Sequence, residues 1–178
     1  MKALNKTSAA IFQAAIDRIP AGETRIKLDA GDHEHGGSIM ALCVEKIGVN
    51  EYGDLYSFAH YYLQNGDMMR DPDVVMLRSI NPDALTGKHQ FFPISYRQDG
   101  LGIDRDSVIF NTDGPGWKID KRGQADLCAF CNLWAGNLRG QQGLVPARAV
   151  VAHVSENVAQ WLDPAGTLQA AGLMKVTL

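Results

Sequence analysis

The feature that most constrains this chain is the stretch at residues 55–64 and the Asn65-Gly66 dipeptide that ends it. Along it Tyr56, Phe58, His60 and Tyr62 fall on one face, and Leu55, Ala59, Tyr61 and Leu63 on the other. A period of two is that of an extended strand. Asn-Gly accepts the positive φ that a tight hairpin turn demands at both central positions. The chain must therefore double back after Gly66. A charged loop is expected over 67–73, and Val74, Val75, Met76 and Leu77 then mark a well-buried strand over 73–80.

Other segments read as strands joined by short turns. Thr24 to Leu28 alternates as a first, partly exposed strand. Residues 38–49 carry apolar side chains on both faces (Ile39, Ala41 and Cys43 against Met40, Leu42 and Val44), which predicts a central strand covered on both sides. Turns are expected at 50–54, 81–87 and 100–104. Residues 91–97 form a strand whose Pro93 places it at an edge or a bulge. Ser107 to Phe110 is a short strand, and Asp113-Gly-Pro-Gly116 breaks the chain.

Helices flank this run. Phe12, Ala15, Ile16 and Ile19 give residues 7–19 one apolar face, with Thr7 or Ser8 as the cap and Pro20 to Gly22 as the stop. Leu127, Cys131, Trp134 and Leu138 form a single seam over 124–139, with Asp126 near the start, Arg139 near the end and Gly140 as terminator. After Pro146, residues 147–162 fit either one helix or a strand and a short helix, and 173–178 could add an edge strand. Strands grouped together between helices indicate an α+β fold: an antiparallel meander of about five strands, an N-terminal helix and one or two C-terminal helices. At 178 residues the expectation is a single domain over 1–178.

Composition excludes several classes. A net charge of −3, with scattered Lys and Arg, disfavours direct binding to nucleic acid. No apolar run is long enough to span a bilayer, and the N-terminus lacks the apolar region of a secretory signal. Three cysteines fit a reducing cytoplasm. GxGxxG, P-loop, HExxH and GxSxG motifs do not occur.

Few residues remain for chemistry. Cys128-Ala-Phe-Cys131 lies inside the second helix with Cys131 on its seam, so core packing is expected. A zinc site needs four ligands, and no second CxxC exists. His33 and His35 can point the same way on an extended chain and Asp32 and Glu34 add oxygen ligands beside them, but the sequence identifies no third well-placed residue. A solvated polar loop is the reading, with no metal or cofactor expected. The acidic residues from Asp99 to Asp113 do not meet the ligand spacing of a calcium loop. His60 sits among aromatics, where a hydrogen-bonded core role is the default. Arg70 stands among Asp67, Asp71 and Asp73, and can lock the loop internally or leave the acids to a ligand. In the second case Asp67 and Asp71 form a general-base or metal pair with His60 behind them.

The run His60-Tyr-Tyr-Leu-Gln-Asn-Gly-Asp-Met-Met-Arg-Asp-Pro72 resembles the signature of an uncharacterised bacterial domain family, His-Tyr-x-x-Gln-Asn-Gly-Asp-x-Met-x-Asp-Pro. Phe92-Pro-Ile-Ser-Tyr-Arg-Gln-Asp99 and Trp134-Ala-Gly-Asn-Leu-Arg-Gly-Gln141 agree with it in order and spacing. The resemblance covers about residues 37–144 and departs after Asp99. It implies a domain of unknown function frequent on plasmids, integrative elements and phage. It also groups Gln64, Asn65, Asp67, Asp71, Tyr96, Arg97, Gln98 and Asp99 as one candidate polar patch, to which Arg70 belongs by position. In a meander, the 65–66 turn and the end of strand 91–97 lie at the same end of the sheet. The function expected is a non-enzymatic binding or accessory protein of a mobile element, with a protein partner. A metal-assisted phosphoester hydrolase using His60, Asp67 and Asp71 is the first alternative, and a purely structural domain the second.

Overall fold

The structure, a computed structural model, describes residues 1–29, 39–81 and 88–145. His33 and His35, most of the 81–87 turn, and the expected elements at 147–162 and 173–178 lie outside them.

Helix α1 (Lys6–Ile16) buries Ile11, Phe12, Ala14 and Ala15. Its cap is Asn5, not the expected Thr7 or Ser8: the Asn5 side chain accepts from the Ser8 amide at 2.8 Å. Asn before an apolar helical run is a strong cap, and moving it upstream leaves Ser8 inside the helix.

Strands β1 (Arg25–Leu28), β2 (Leu42–Asn50), β3 (Gly53–Gln64), β4 (Asp67–Ser79), β5 (Phe91–Gln98) and β6 (Ile103–Asp106) form one antiparallel sheet in sequence order. The fold is thus the expected α+β meander, with one strand more than expected because β6 follows a single 3-10 turn (Asp99–Leu101). A separate hairpin, β7 (Val108–Phe110) with β8 (Trp117–Ile119), spans the chain break at 113–116. Helix α2 (Lys121–Gln141) follows, capped by Asp120 through the Arg122 and Gly123 amides. Asp126 is therefore not in its first turn. Gly140 lies inside the helix, and it is Gly143, with φ of 60°, that takes the left-handed conformation beyond the end.

Two cores sit on opposite faces of the sheet. On one, Phe58, Val44, Val74 and Met76 meet Phe12 of α1 and the α2 seam of Leu127, Cys131, Trp134 and Leu138. On the other, Leu77, Ile94 and Val108 pack with Leu55, Phe92 and Phe110 beneath the β7–β8 hairpin. Pro93 falls where the β4–β5 register shifts, between Val75 and Met76, so the bulge is the correct half of the sequence expectation. Strand β2 is not covered on both faces. Leu42 and Val44 are buried, whereas Cys43 is half-buried and Glu45, Lys46 and Ile47 are exposed.

The largest departure concerns residues 67–73, where a loop was expected. Asp67 begins β4 directly after the turn, with Asn65 at φ 55° and Gly66 at φ 91°. Charged side chains are compatible with a strand when the strand leaves the body of the sheet, and this one does. β2 pairs with β3 only as far as His60, and β5 pairs with β4 only from Asp73 onward. Tyr61 to Gln64 and Asp67 to Arg70 pair solely with each other, so the hairpin extends from the sheet as a two-stranded arm.

Candidate functional site

A two-stranded ribbon is marginal by itself in water, and the polar residues at the base of the arm supply its support. Arg70 is the centre of this. Its backbone N–H donates to Asp99 at 2.8 Å, and its guanidinium grips the same carboxylate through Nε at 3.1 Å and Nη2 at 2.7 Å. The Arg70 side chain holds the Asp99 carboxyl below the usual carboxylate range, and Asp99 in turn raises the guanidinium. Arg70 does lock the chain internally, but its partner comes from the 3-10 turn and not from Asp67, Asp71 or Asp73. The bond spans 29 residues of sequence, so neighbouring residues gave no indication of it.

A second chain of contacts lies alongside. Gln98 Nε2 donates to Asp71 Oδ1 at 2.6 Å, and the Tyr96 hydroxyl donates to Gln98 Oε1 at 2.5 Å. The Tyr96 ring meets Phe130 of α2 edge-on, with centroids 5.3 Å apart, and Phe130 stacks on Trp134 at 5.9 Å. Burial raises the Tyr96 phenol, and the Asp71 charge raises it further.

His60 belongs to the core. It is 5% exposed, its ring meets Trp134 edge-on at 5.5 Å, and its Nδ1 is 3.0 Å from the Ala41 carbonyl oxygen. A carbonyl only accepts, so Nδ1 carries the proton. Burial lowers the His60 pKa, and the Ala41 bond and the Asp71 charge oppose that shift.

Of the residues grouped from sequence, two sets come together at the base of the arm: Arg70 with Asp99, and Asp71 with Gln98 and Tyr96. Gln64 joins neither and accepts from the Tyr62 hydroxyl at 3.3 Å. Asn65 and Asp67 are exposed at the arm's tip, where Asp67 pairs with Gln64 in the strand register. Arg97 lies outside the patch. It points to the other face from Tyr96 and binds Asp104 and Asp106, each at 2.6 Å.

This geometry separates the proposed acid pair. Asp67 and Asp71 are four residues apart on one strand, about 13 Å at the usual strand rise, too far to share a cation held at about 2 Å. Among the described residues no three His, Cys, Asp or Glu side chains converge as a metal-binding group. The cysteine pair is core as expected: Cys128 and Cys131 are buried, and burial pushes both thiols up. Sequence reading missed Phe130, although its position, i+3 from Leu127 and i−4 from Trp134, was the available signal.

The fold and site define a small α+β meander with a projecting arm, braced at its base by a polar and aromatic cluster. Residues 20–144 match the family described as Domain of unknown function (DUF6908), and the chain belongs to that family. The match starts upstream of the expected residue 37 and takes in β1. No curated protein and no solved structure matches the chain. Among the described residues, no helix is long and apolar enough to cross a membrane.

Proposed function

We propose that the chain is a non-enzymatic binding or accessory protein that engages a protein partner through the β3–β4 arm. The observation that carries this reading is the arm itself. At its tip Leu63 and Met68 face each other across the ribbon, 73% and 66% exposed. Two large apolar side chains on a projecting element are costly to leave in water and favourable to cover with a partner. Behind them Arg70 grips Asp99, Arg97 holds Asp104 and Asp106, and His60 donates to the Ala41 carbonyl. That arrangement suits a rigid presenting surface better than acid–base chemistry, which needs a titratable group within reach of a substrate.

The resemblance of residues 60–72, 92–99 and 134–141 to a domain frequent on mobile elements supports a finer reading. The protein acts in the host cytoplasm for such an element and modulates a host or defence protein. The test is affinity capture from host cells with the wild type and with a Leu63→Ser/Met68→Ser variant. Both side chains are exposed, so the variant's stability should lie within about 0.5 kcal/mol of wild type. The reading expects one stoichiometric partner, captured by the wild type and lost with the variant. No stoichiometric partner, or equal capture by both, overturns it.

A further inference from the structure

We infer that Asp71, with Gln98, Tyr96 and Phe130, forms a recognition site for a cationic side chain, an arginine or lysine presented by the partner. This deepens the binding reading and rests on it. Among the described acids at this end of the sheet, Asp99 is paired with Arg70, Asp104 and Asp106 share Arg97, and Asp73 accepts from the Ser57 hydroxyl at 2.7 Å. Asp71 has no ion pair among the described residues. Its Oδ1 accepts from the neutral Gln98 amide at 2.6 Å, and its Oδ2 has no hydrogen-bond partner there. Residue Asp71 is half-buried, and its one bond to Gln98 leaves the second carboxylate oxygen open to a donor. A carboxylate with an open oxygen attracts a cationic donor through a charge-assisted hydrogen bond.

The surroundings suit a cation more than a neutral donor. Gln98 is fixed at both ends, donating to Asp71 and accepting from Tyr96, so the Asp71 carboxylate is held in one orientation. Tyr96 lies behind Gln98 as a half-buried ring with Phe130 edge-on to it, and ring quadrupoles add to the attraction for a cation. Leu133, one turn along α2 from Phe130, is 77% exposed. Asp67 carries the same charge but is fully solvated at the arm's tip, which makes it the natural control.

The test uses the full chain and two small probes, Nα-acetyl-arginine methylamide and its neutral isostere Nα-acetyl-citrulline methylamide. Binding is followed by NMR at the Gln98 side-chain amide and the Trp134 indole N–H. The arginine probe should shift both signals with a midpoint on the order of 1 mM, and the citrulline probe should not. Asp71→Asn keeps the side chain's shape and an acceptor for Gln98, so the variant should fold. It should weaken the arginine response at least about tenfold, whereas Asp67→Asn should leave it unchanged. Absence of a response, equal shifts with citrulline, or full retention in Asp71→Asn overturns the inference. Failure here and failure of the binding reading are distinguishable. If capture is lost with the tip variant but kept by Asp71→Asn, only the cation site is refuted. If the probe binds but no partner is captured, only the binding reading is refuted.

Discussion

At the scale of the residue, His60 shows how an apparent catalytic group is claimed by the core. Strand alternation placed it among aromatics, and it proves to be buried against Trp134. Burial pulls its pKa below the ordinary 6.5. Below pH 6.5 the unfolded chain therefore takes up a proton that the folded chain resists. This contribution to stability is fully present above about pH 6.5 and is lost as the pH falls from there through the lower folded value. Urea midpoints should decline over that window, and less so in His60→Gln. An imidazole titration of the folded protein with a midpoint at or above 6.5 would contradict this. The cysteines give a second expectation. Burial raises all three thiols, but Cys43 is half-buried on the sheet, whereas Cys128 and Cys131 are buried. A thiol reagent at pH 7 should label Cys43 first and the α2 pair only on unfolding; rapid labelling of Cys128 or Cys131 in the folded protein would refute the core assignment.

At the scale of the element, the α2 seam and the arm turn were legible because each follows a local rule. Leu127, Cys131, Trp134 and Leu138 repeat at helical spacing, and all four are buried. Trp134→Ala should cost about 3–5 kcal/mol by denaturant melting. Asn65-Gly66 needs positive φ, and both residues have it. Gly66→Ala should cost about 1–2 kcal/mol, against almost nothing if the turn took another form. The strand identity of residues 67–73 was not legible, because charge and Pro72 resemble a loop when only neighbours are considered. What makes these residues a strand is pairing with β3 and the Arg70–Asp99 bridge, both non-local. β6 escaped notice for the same reason, since its acids are held by Arg97 from the adjoining strand. Removing the brace with Asp99→Asn should make the arm amides from Tyr61 to Arg70 exchange hydrogen severalfold faster and leave the body of the sheet unchanged. Uniform acceleration would mean that the bridge supports the whole fold and not the arm.

At the scale of the molecule, the sheet divides its work. Its middle is sandwiched between the helices on one face and the β7–β8 hairpin on the other, and supplies stability. Its far end carries the arm, whose tip exposes Leu63 and Met68 and whose base holds Asp71, an acid with no ion pair among the described residues. Topology made the meeting of the two chain segments foreseeable, since β3 and β5 run toward the same end. The assignment of each polar residue to brace, tip or opposite face depended on distances that no sequence pattern encodes. The central claim is that this end is the functional surface. Hydrogen exchange of the protein alone and bound to its captured partner tests it most directly. Protection should concentrate in residues 61–71 and 96–101, with the helices and the β7–β8 hairpin unchanged. Protection confined to residues 108–119 or to the exposed end of β2 would contradict it.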